Sequence, residues 1–382
     1  MKYGHFIDYV KSQFQTEKFI PLHEPRFNGN EKKYLCEAID STFVSSVGAF
    51  VDRFEQNVAG FVGTKYAVAV VNGTAALHIA LVVAGVESGD EVITQPLTFV
   101  ATCNAISYCG AQPVFVDVDQ HTMGMCPLSL ETFLREETEM RDGVCFNKRS
   151  NRKVTACVPM HVFGHPCDIR RIAALCKEFS ISLVEDAAEG LGSRVEKKSV
   201  GTFGDSGVFS FNGNKVITAG GGGVIVTNDE RTAKLAKHLT TTAKVPHAWD
   251  YEHDSIGFNC RMPNINAALV CAQLEQLNDF LVSKRKLAMA YNQFFCDIDI
   301  DFKLEPEGTT SNYWLNTIQL VDKENQVEFL KQTNEMGVMT RPVWRLMNQL
   351  SMFSDCFCMP INNAVFLSDR LVNIPSSVII HK

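Results

Sequence analysis

The sequence contains no long apolar run, no internal repeat and no low-complexity segment. Its longest apolar stretch, 66–86, is interrupted by a polar turn at 72–74 and by His78, so no membrane-spanning helix is predicted. Residues 1–18 alternate polar and apolar side chains and lack the apolar core of a signal peptide. Together these absences predict a globular, cytoplasmic protein with no membrane partner.

The chain also lacks an excess of basic residues. It has 36 Lys and Arg against 43 Asp and Glu, a net charge of −7 and no basic stripe, so no nucleic-acid partner is predicted. The 13 cysteines are scattered and odd in number, which indicates reduced thiols and not a disulfide framework. Cys356 and Cys358 have the wrong spacing for a zinc knuckle and are interpreted as structural, so no metal site is predicted.

Short apolar strands alternate with helices through much of the chain, whose 382 residues suit about two domains. This alternation predicts an α/β fold with a mostly parallel central sheet and helices on both faces. The polar stretch 140–153 is predicted to be an exposed loop. The predicted strands are 66–71, 91–94, 113–118, 154–160, 181–186, 208–211 and 223–227, and the helices among them are 75–84, 98–108, 127–139 and 168–179.

The regular alternation ends near residue 240. The polar, aromatic segment 240–260 has no clear period, and a loop of this length is predicted to be functional or an interface. Residues 263–295 are predicted to be long helical material, followed by mixed strands and a helix. The change predicts a large domain at 1–250 and a smaller C-terminal α/β domain at 251–382.

One lysine, Lys215, lies between a predicted strand and four consecutive glycines. This stretch alone fits either a surface lysine or a lysine that binds pyridoxal phosphate (PLP) as a Schiff base. Asp186 ends another strand, and the turn Gly73-Thr74 precedes a helix, which suits either a phosphate site or an ordinary connection. Ligands of parallel sheets gather beyond the C-terminal ends of strands, where Thr74, Asp186 and Lys215 fall.

Two other glycine and lysine motifs are excluded. A P-loop does not fit, because Gly207 and Gly213 are one residue too far apart and Asn214 precedes Lys215. A dinucleotide motif does not fit either, since the glycines 220–223 enter a strand and not a helix. These glycines are interpreted as room for cofactor and substrate.

Five motifs, in the right order over nearly the whole chain, resemble the DegT/DnrJ/EryC1/StrS sugar aminotransferases. The resemblance implies PLP-dependent transferase fold type I, as in aspartate aminotransferase. The motifs are Val71-Asn-Gly-Thr-Ala-Ala76, Pro96-Leu-Thr-Phe-Val-Ala-Thr102, Val184-Glu-Asp-Ala-Ala188, Phe209-Ser-Phe-Asn-Gly-Asn-Lys215 and Gly257-Phe-Asn-Cys-Arg-Met-Pro-Asn-Ile-Asn-Ala-Ala268.

The start of the chain is similar to a subgroup found in legionaminic-acid and related nonulosonic-acid pathways. The similar segments are 19–25, 29–31 and 44–48. This similarity implies amination of C4 of a UDP- or GDP-linked 2-acetamido-4-keto-2,6-dideoxy sugar. L-Glutamate would be the amino donor and leave as 2-oxoglutarate, while the cofactor alternates between PLP and its pyridoxamine form (PMP).

The resemblance also implies a role for each site residue. Lys215 would form the Schiff base and shuttle a proton, and Asp186 would pair with the pyridinium nitrogen. Phe99 would stack on the cofactor ring, although the residue alone also fits a core aromatic. Glu189 stands where the family more often has Gln or His near the 3-hydroxyl. The phosphate would be bound by Gly73, Thr74, Ala75 and Ser210.

Asn259 is similar to a family asparagine that reaches the phosphate from the neighbouring subunit, which implies an obligate homodimer with shared active sites. Alone, Asn259 also fits a simple turn. His247, Trp249 and Arg341 are candidate substrate residues, although an Arg before Pro is often a surface residue. His161 and His165 are candidates to line the cleft, or satisfied structural histidines.

Two other functions are compatible with this fold. A sugar dehydratase of the same fold resembles the family but replaces the Schiff-base lysine with histidine, so Lys215 argues against it. A catalytically silent binding protein is the other, and the intact set of Asp186, Ser210 and Lys215 argues against it.

Overall fold

The structure is a computed structural model that describes residues 2–296, 298 and 300–380. Its helices are α1 (Gly4–Phe14), α2 (Glu31–Asp40), α3 (Ala49–Val62), α4 (Gly73–Val83), α5 (Val100–Tyr108), α6 (Pro127–Thr132), α7 (Ile169–Glu178), α8 (Glu230–Thr240), α9 (Asn264–Glu275), α10 (Leu277–Cys296), α11 (Lys323–Glu335) and α12 (Asn362–Ser368). Its strands are β1 (Tyr66–Val70), β2 (Glu91–Thr94), β3 (Gln112–Phe115), β4 (Thr138–Arg141), β5 (Val144–Asn147), β6 (Val154–Val158), β7 (Ser182–Asp186), β8 (Arg194–Val195), β9 (Lys198–Ser199), β10 (Ser206–Ser210), β11 (Gly223–Thr227), β12 (Asp301–Phe302), β13 (Thr309–Thr310), β14 (Asn316–Gln319), β15 (Arg341–Pro342) and β16 (Leu371–Ile374).

The central sheet has, among the described residues, seven strands in the order β1-β11-β10-β7-β6-β2-β3. Strand β11 runs antiparallel to both of its neighbours, and the other pairs are parallel. Strands such as β2 and β6 are buried along their whole length, which is typical of parallel sheets covered on both faces. The predicted α/β fold with a mostly parallel sheet is confirmed.

The helices bury apolar faces against this sheet. Helix α7 places Ile169, Ile172 and Leu175 inward at helical spacing and its arginines outward. Asp168 caps its start by accepting a hydrogen bond from the Arg171 N–H. These packed helices leave the C-terminal ends of the parallel strands open as the place for a ligand.

A short extended segment covers the β3 edge of the sheet. The Phe115 N–H donates to the Phe357 carbonyl at 2.9 Å, and the Met359 N–H donates to the Phe115 carbonyl at 2.9 Å. Cys356 and Cys358 lie in this segment, so their structural interpretation agrees with their place in the fold. Covering an edge strand removes unpaired backbone groups that favour aggregation.

A second sheet, in the order β12-β14-β16-β15, forms from the C-terminal part of the chain. Helix α10 packs beside it, and α1 joins the same cluster, with Phe6 in contact with Tyr291 and Phe295. Helix α9 instead packs on α2 and α3, where Tyr34 and Arg53 both bind Glu275. The predicted division at residue 250 stays a prediction.

One local prediction is wrong. The stretch predicted as a loop at 140–153 contains most of a β-hairpin, in which Asp142 and Gly143 form the turn between β4 and β5 with positive φ of 51° and 81°. Asp-Gly between strands is a strong hairpin signal. The helical material predicted at 263–295 is confirmed, and it consists of two helices, α9 and α10, that meet at Gln276.

Within the described ranges, no helix combines the length and apolar character needed to cross a bilayer. All 13 cysteines belong to the described residues, and all are free thiols.

Candidate active site

Lys215 lies on the loop between β10 and β11, with its side chain 15% exposed. The loop is compact because the Phe211 N–H donates to the Gly222 carbonyl and the Ala219 N–H donates to the Phe211 carbonyl. The ammonium faces a cavity of about 310 Å³ beyond the C-terminal ends of the parallel strands. The predicted site residues that line this cavity are Gly73, Thr74, Phe99, Asp186, Glu189, Ser210 and Lys215.

One end of the cavity is formed by the start of α4. Asn72 caps this helix by accepting a hydrogen bond from the Ala75 N–H at 2.8 Å. Within the described chain, the N–H groups of Gly73 and Thr74 have no recorded partner. Ser210 lies against this turn, since a Cβ added at Gly73 would come within 3.3 Å of the Ser210 hydroxyl. Two free N–H groups, a helix start and a hydroxyl together fit a phosphate.

Ala75 differs from the prediction in one respect. Its N–H is already bound by the Asn72 side chain, so in this geometry it is not available to a phosphate. The N-cap requires that bond, because the first N–H groups of a helix have no partner within the helix. The residue remains next to the phosphate end through its place in the first turn of α4.

The floor of the cavity carries the buried carboxylate of Asp186. Its Oδ2 accepts a hydrogen bond from the Thr102 hydroxyl at 2.7 Å, and its Oδ1 accepts one from the Ala188 N–H at 3.2 Å. Burial raises the pKa of Asp186, and these bonds together with Lys215 and His161 oppose the rise. No ion pair to Asp186 is recorded in the described part of the chain. A protonated ring nitrogen is the kind of group that would complete this carboxylate.

Glu189 lies between Lys215 and the backbone of Phe163. Its Oε1 is 3.3 Å from Lys215 Nζ, and its Oε2 accepts a hydrogen bond from the Phe163 N–H at 2.9 Å. Burial raises the pKa of Glu189 to about 7, and Lys215 opposes the rise. Phe163 is buried with a positive φ of 56°, a strained conformation that aims its N–H at this carboxyl.

Gly164 and Gly223 allow close approaches that position the cavity walls. A Cβ at Gly164, whose φ is +95°, would come within 1.8 Å of the Asn312 Oδ1 atom. A Cβ at Gly223 would come within 2.5 Å of the Asn72 backbone. The sequence suggested that the glycines 220–223 provide room for cofactor and substrate, but none of them lines the cavity in the described structure. Gly223 instead lets β11 approach the Asn72 turn.

Aromatic rings form the walls. Phe99 is the N-cap of α5 and is 49% exposed, so it is not a core residue. Trp344 packs between Phe99 and Phe163, with ring centroids 6.1 and 4.9 Å away. On the other side the Trp314 ring centroid is 4.0 Å from Lys215 Nζ.

Several residues of the site, including Thr102 behind Asp186, were not predicted from the sequence. Thr102 lies within a quoted motif and follows Phe99 by one helical turn, so its position was a usable signal. Trp314 and Trp344 have no such signal, because they reach the cavity from the C-terminal part of the chain.

Other predicted residues do not line the cavity of their own chain. Asn259 is exposed, and its Oδ1 accepts a hydrogen bond from the Arg261 guanidinium. His247 and Trp249 are exposed and stack edge to face, with Trp249 81% exposed. Arg341 is exposed in the second sheet and donates to Asn334 and Thr340.

The two candidate cleft histidines are buried away from the cavity. His161 Nε2 is 3.1 Å from Glu185 Oε2, and that carboxylate also accepts hydrogen bonds from the backbone N–H groups of Gly201, Phe203 and Gly204. Burial lowers the pKa of His165 to about 4. Neither histidine lines the cavity in the described structure. His161 fits a satisfied structural histidine, whereas neither ring nitrogen of the buried His165 has a hydrogen-bond partner among the described residues.

The cavity fits PLP on the chemistry of its groups. Free N–H groups and a hydroxyl at one end suit the phosphate, and a buried carboxylate suits the ring nitrogen. An amine lies in the same cavity to bind the aldehyde carbon. The residues that would hold the group are Gly73, Thr74, Ser210, Asp186, Phe99 and Lys215.

Comparison with known proteins agrees with this chemistry. The model of the DegT/DnrJ/EryC1/StrS aminotransferase family matches residues 25–382. GDP-perosamine synthase of Escherichia coli O157:H7 is 38% identical over 360 residues, 94% of this chain and 93% of that protein. The putative pyridoxal phosphate-dependent aminotransferase EpsN of Bacillus subtilis is 37% identical over 337 residues, 88% of this chain and 84% of that protein.

The fold is also that of solved aminotransferases. The crystal structure of the aminotransferase TlmJ from Streptoalloteichus hindustanus has a TM-score of 0.85 and is 26% identical, covering 94% of this chain and 93% of that one. The predicted fold type I is thereby confirmed. By sequence and by structure, the chain belongs to the DegT/DnrJ/EryC1/StrS aminotransferase family, whose enzymes depend on PLP.

Proposed function

We propose that this protein transfers the amino group of L-glutamate to C4 of a nucleotide-linked 4-keto-6-deoxy sugar. The observation that carries the proposal is the single cavity that brings together Lys215, Asp186 and the phosphate-type turn at Gly73. The sugar product would enter nonulosonic-acid or surface-glycan biosynthesis.

Each side chain has a definite task in this proposal. PLP, when bound, supplies an electron sink for the carbon that loses or gains the amino group. Asp186 keeps the ring nitrogen protonated, and Thr102 orients that carboxylate. Lys215 attaches the cofactor and moves the proton at the reacting carbon. Phe99 would stack on the cofactor ring, and Trp344 packs against Phe99.

The nucleotide and the sugar are proposed from two sources of support. The relative named GDP-perosamine synthase supports a GDP-linked sugar. The N-terminal segments similar to the legionaminic-acid subgroup support a 2-acetamido-2,6-dideoxy-hexos-4-ulose linked to UDP or GDP. Both classes therefore belong in the test.

The test is mass spectrometry of products from a panel of UDP- and GDP-linked 4-keto sugars incubated with PLP and L-glutamate. An aminated sugar and an equal amount of 2-oxoglutarate are expected with one nucleotide class. A deoxygenated sugar would identify a dehydratase instead. No product and no 2-oxoglutarate with any sugar would support a binding protein.

We also propose a homodimer with shared sites. Its support is that Asn259 lies outside the cavity of its own chain, on an exposed segment where Trp249 and Ile256 are 81% and 88% exposed. In this arrangement Asn259 would reach the phosphate bound in the partner subunit, and His247 and Trp249 would reach the substrate bound there.

Arg341 stays a predicted substrate residue, for which Arg341→Ala is expected to raise KM more than it lowers kcat.

Mixed dimers test the shared site. Lys215→Ala and Asn259→Ala are each expected to be impaired alone, and the mixture is expected to recover activity because one site of a mixed dimer is intact. Two different affinity tags allow mixed dimers to be isolated. If these mixed dimers do not recover activity, the shared site is contradicted.

We further propose a cytoplasmic location, supported by the free thiols of the described cysteines.

A further inference from the structure

The amine of Lys215 has two partners in the cavity. Its Nζ is 4.0 Å from the centroid of the Trp314 ring and 3.3 Å from Glu189 Oε1. A face of an indole attracts an ammonium through the ring quadrupole, and more strongly where water is excluded. The Trp314 ring and the Glu189 carboxyl together stabilise the ammonium of Lys215 when this lysine is not attached to a cofactor.

The Trp314 ring is held rigidly in this position. Its indole N–H donates to the Asn214 carbonyl at 2.6 Å, next to Lys215 in the chain. Its backbone N–H donates to Asn312 Oδ1 at 2.7 Å, and its carbonyl accepts a hydrogen bond from Lys284 Nζ at 3.1 Å. The first bond restrains the ring itself and the other two fix its backbone, so at 5% exposure the ring cannot turn away from Lys215 without breaking the bond to the Asn214 carbonyl.

The contact distinguishes two states of the lysine. A free Lys215 presents a full ammonium charge to the ring, whereas attachment would bond the same nitrogen to the aldehyde carbon of PLP and spread any charge on it over the cofactor. We propose that Trp314 is a positioning residue that holds the ammonium of Lys215 whenever the lysine is detached from the cofactor, and thereby favours the PMP form over the PLP form. The proposal rests on the proposed aminotransferase function, because only amino transfer alternates the two forms.

The thermodynamic consequence has a definite sign. The structure shows the contact in the protein without cofactor. The lysine would also be free with PMP, whereas attachment to PLP would weaken the contact. Removal of the ring therefore leaves the affinity for PMP nearly unchanged and strengthens the affinity for PLP relative to the cofactor-free protein. The ratio of the two affinities isolates the contact from any general loss of stability.

The test measures the affinities of the cofactor-free full-length protein for PLP and for PMP by equilibrium dialysis. In Trp314→Leu the preference for PLP over PMP is expected to increase by about five- to tenfold. Trp314→Phe keeps a smaller aromatic face and is expected to fall between the wild type and the Leu variant. It also covers the case in which Trp314→Leu does not fold.

Trp344→Leu is the matched control, because Trp344 lines the same cavity but packs on Phe99 and Phe163. Its PLP-to-PMP preference is expected to stay within about twofold of the wild type. An unchanged preference in both Trp314 variants, or an equal shift in Trp344→Leu, overturns the proposal. Neither sugar nor amino donor enters the measurement, so a failure to aminate any sugar is a separate result.

Discussion

Lys215 and Lys284 contact the same tryptophan from two sides and have opposite surroundings. Lys215 points its amine into the cavity over the Trp314 ring, beside the Glu189 carboxyl. Lys284 is completely buried in α10, and its amine donates to the Trp314 carbonyl at 3.1 Å and to the Ser376 carbonyl at 2.6 Å. One lysine has access to a ligand, and the other holds two segments of backbone together.

The electrostatic surroundings of Lys284 follow from this burial. Burial lowers the pKa of Lys284 to about 7, and no carboxylate pairs with it among the residues described. Burial and the nearby charges of Lys284 and Lys215 lower the pKa of His23 well below its usual value. The comparison teaches that access to a cavity and to a counter-charge, and not residue type, decides which lysine can do chemistry.

Lys215→Ala gives the largest expected effect. Removal of the amine prevents attachment of PLP, so the visible absorbance band of the attached cofactor is expected to disappear. The loss of proton transfer alone is expected to lower amino transfer by about 10²- to 10⁴-fold. Lys284→Met is expected to keep the band. If the absorbance band survives in Lys215→Ala, PLP is attached to another lysine.

Lys284→Met changes the dependence of stability on pH. The pKa of Lys284 is 10.5 in the unfolded chain and about 7 in the fold, so the unfolded chain binds more protons between these values. Wild-type stability from this group therefore rises with pH across that window, by up to about 5 kcal/mol. The difference in unfolding free energy between wild type and variant, from urea titrations at pH 7 to 10, is expected to rise accordingly.

Lys286→Met is the control, because Lys286 is exposed two residues further along the same helix. Its stability difference from the wild type is expected to stay flat across the same pH range. A flat difference for Lys284→Met as well means that the buried amine stays charged in the fold.

Glu189→Gln tests a buried carboxyl of the cavity, whose contribution to stability depends on pH in the opposite direction to that of Lys284. The pKa of Glu189 is 4.5 in the unfolded chain and about 7 in the fold, so the folded state binds more protons between these values. Wild-type stability from this group is present at low pH and decreases as pH rises through that window, by up to about 3 kcal/mol. Urea unfolding of cofactor-free protein at pH 5 to 8 measures it, with the exposed Glu307→Gln as control. A wild-type advantage that grows with pH contradicts the raised pKa.

Thr102→Val has the smallest expected effect. It removes the 2.7 Å hydrogen bond to Asp186, which is expected to cost about 1 kcal/mol of stability and a few-fold in PLP affinity. Thr94→Val removes a buried hydrogen bond to the Val158 carbonyl, away from Asp186. It should cost similar stability with unchanged PLP affinity. Equal losses of PLP affinity in both variants would show that Thr102 has no specific role in cofactor binding.

The two lysines also show how far the sequence could predict the site. Lys215 follows a strand end and lies in a motif, so both physical reasoning and the family resemblance pointed to it. Lys284 lies in a charged stretch that resembles a solvent-facing helix surface. Helical spacing nevertheless places it on one face with Leu287, Ala288 and Tyr291, all of which are buried, and this was a usable signal.

By itself the sequence determined the alternation of central-sheet strands and helices, the family, and the cavity residues that follow strand ends, including Gly73, Asp186 and Lys215. These depend on periodicity and on motifs, which are local properties of the chain. Only the tertiary structure decided that Trp314 faces Lys215 and that the Phe163 N–H faces Glu189. It also decided that Asn259 lies outside its own cavity, because such contacts join distant segments whose side-chain directions are set by packing.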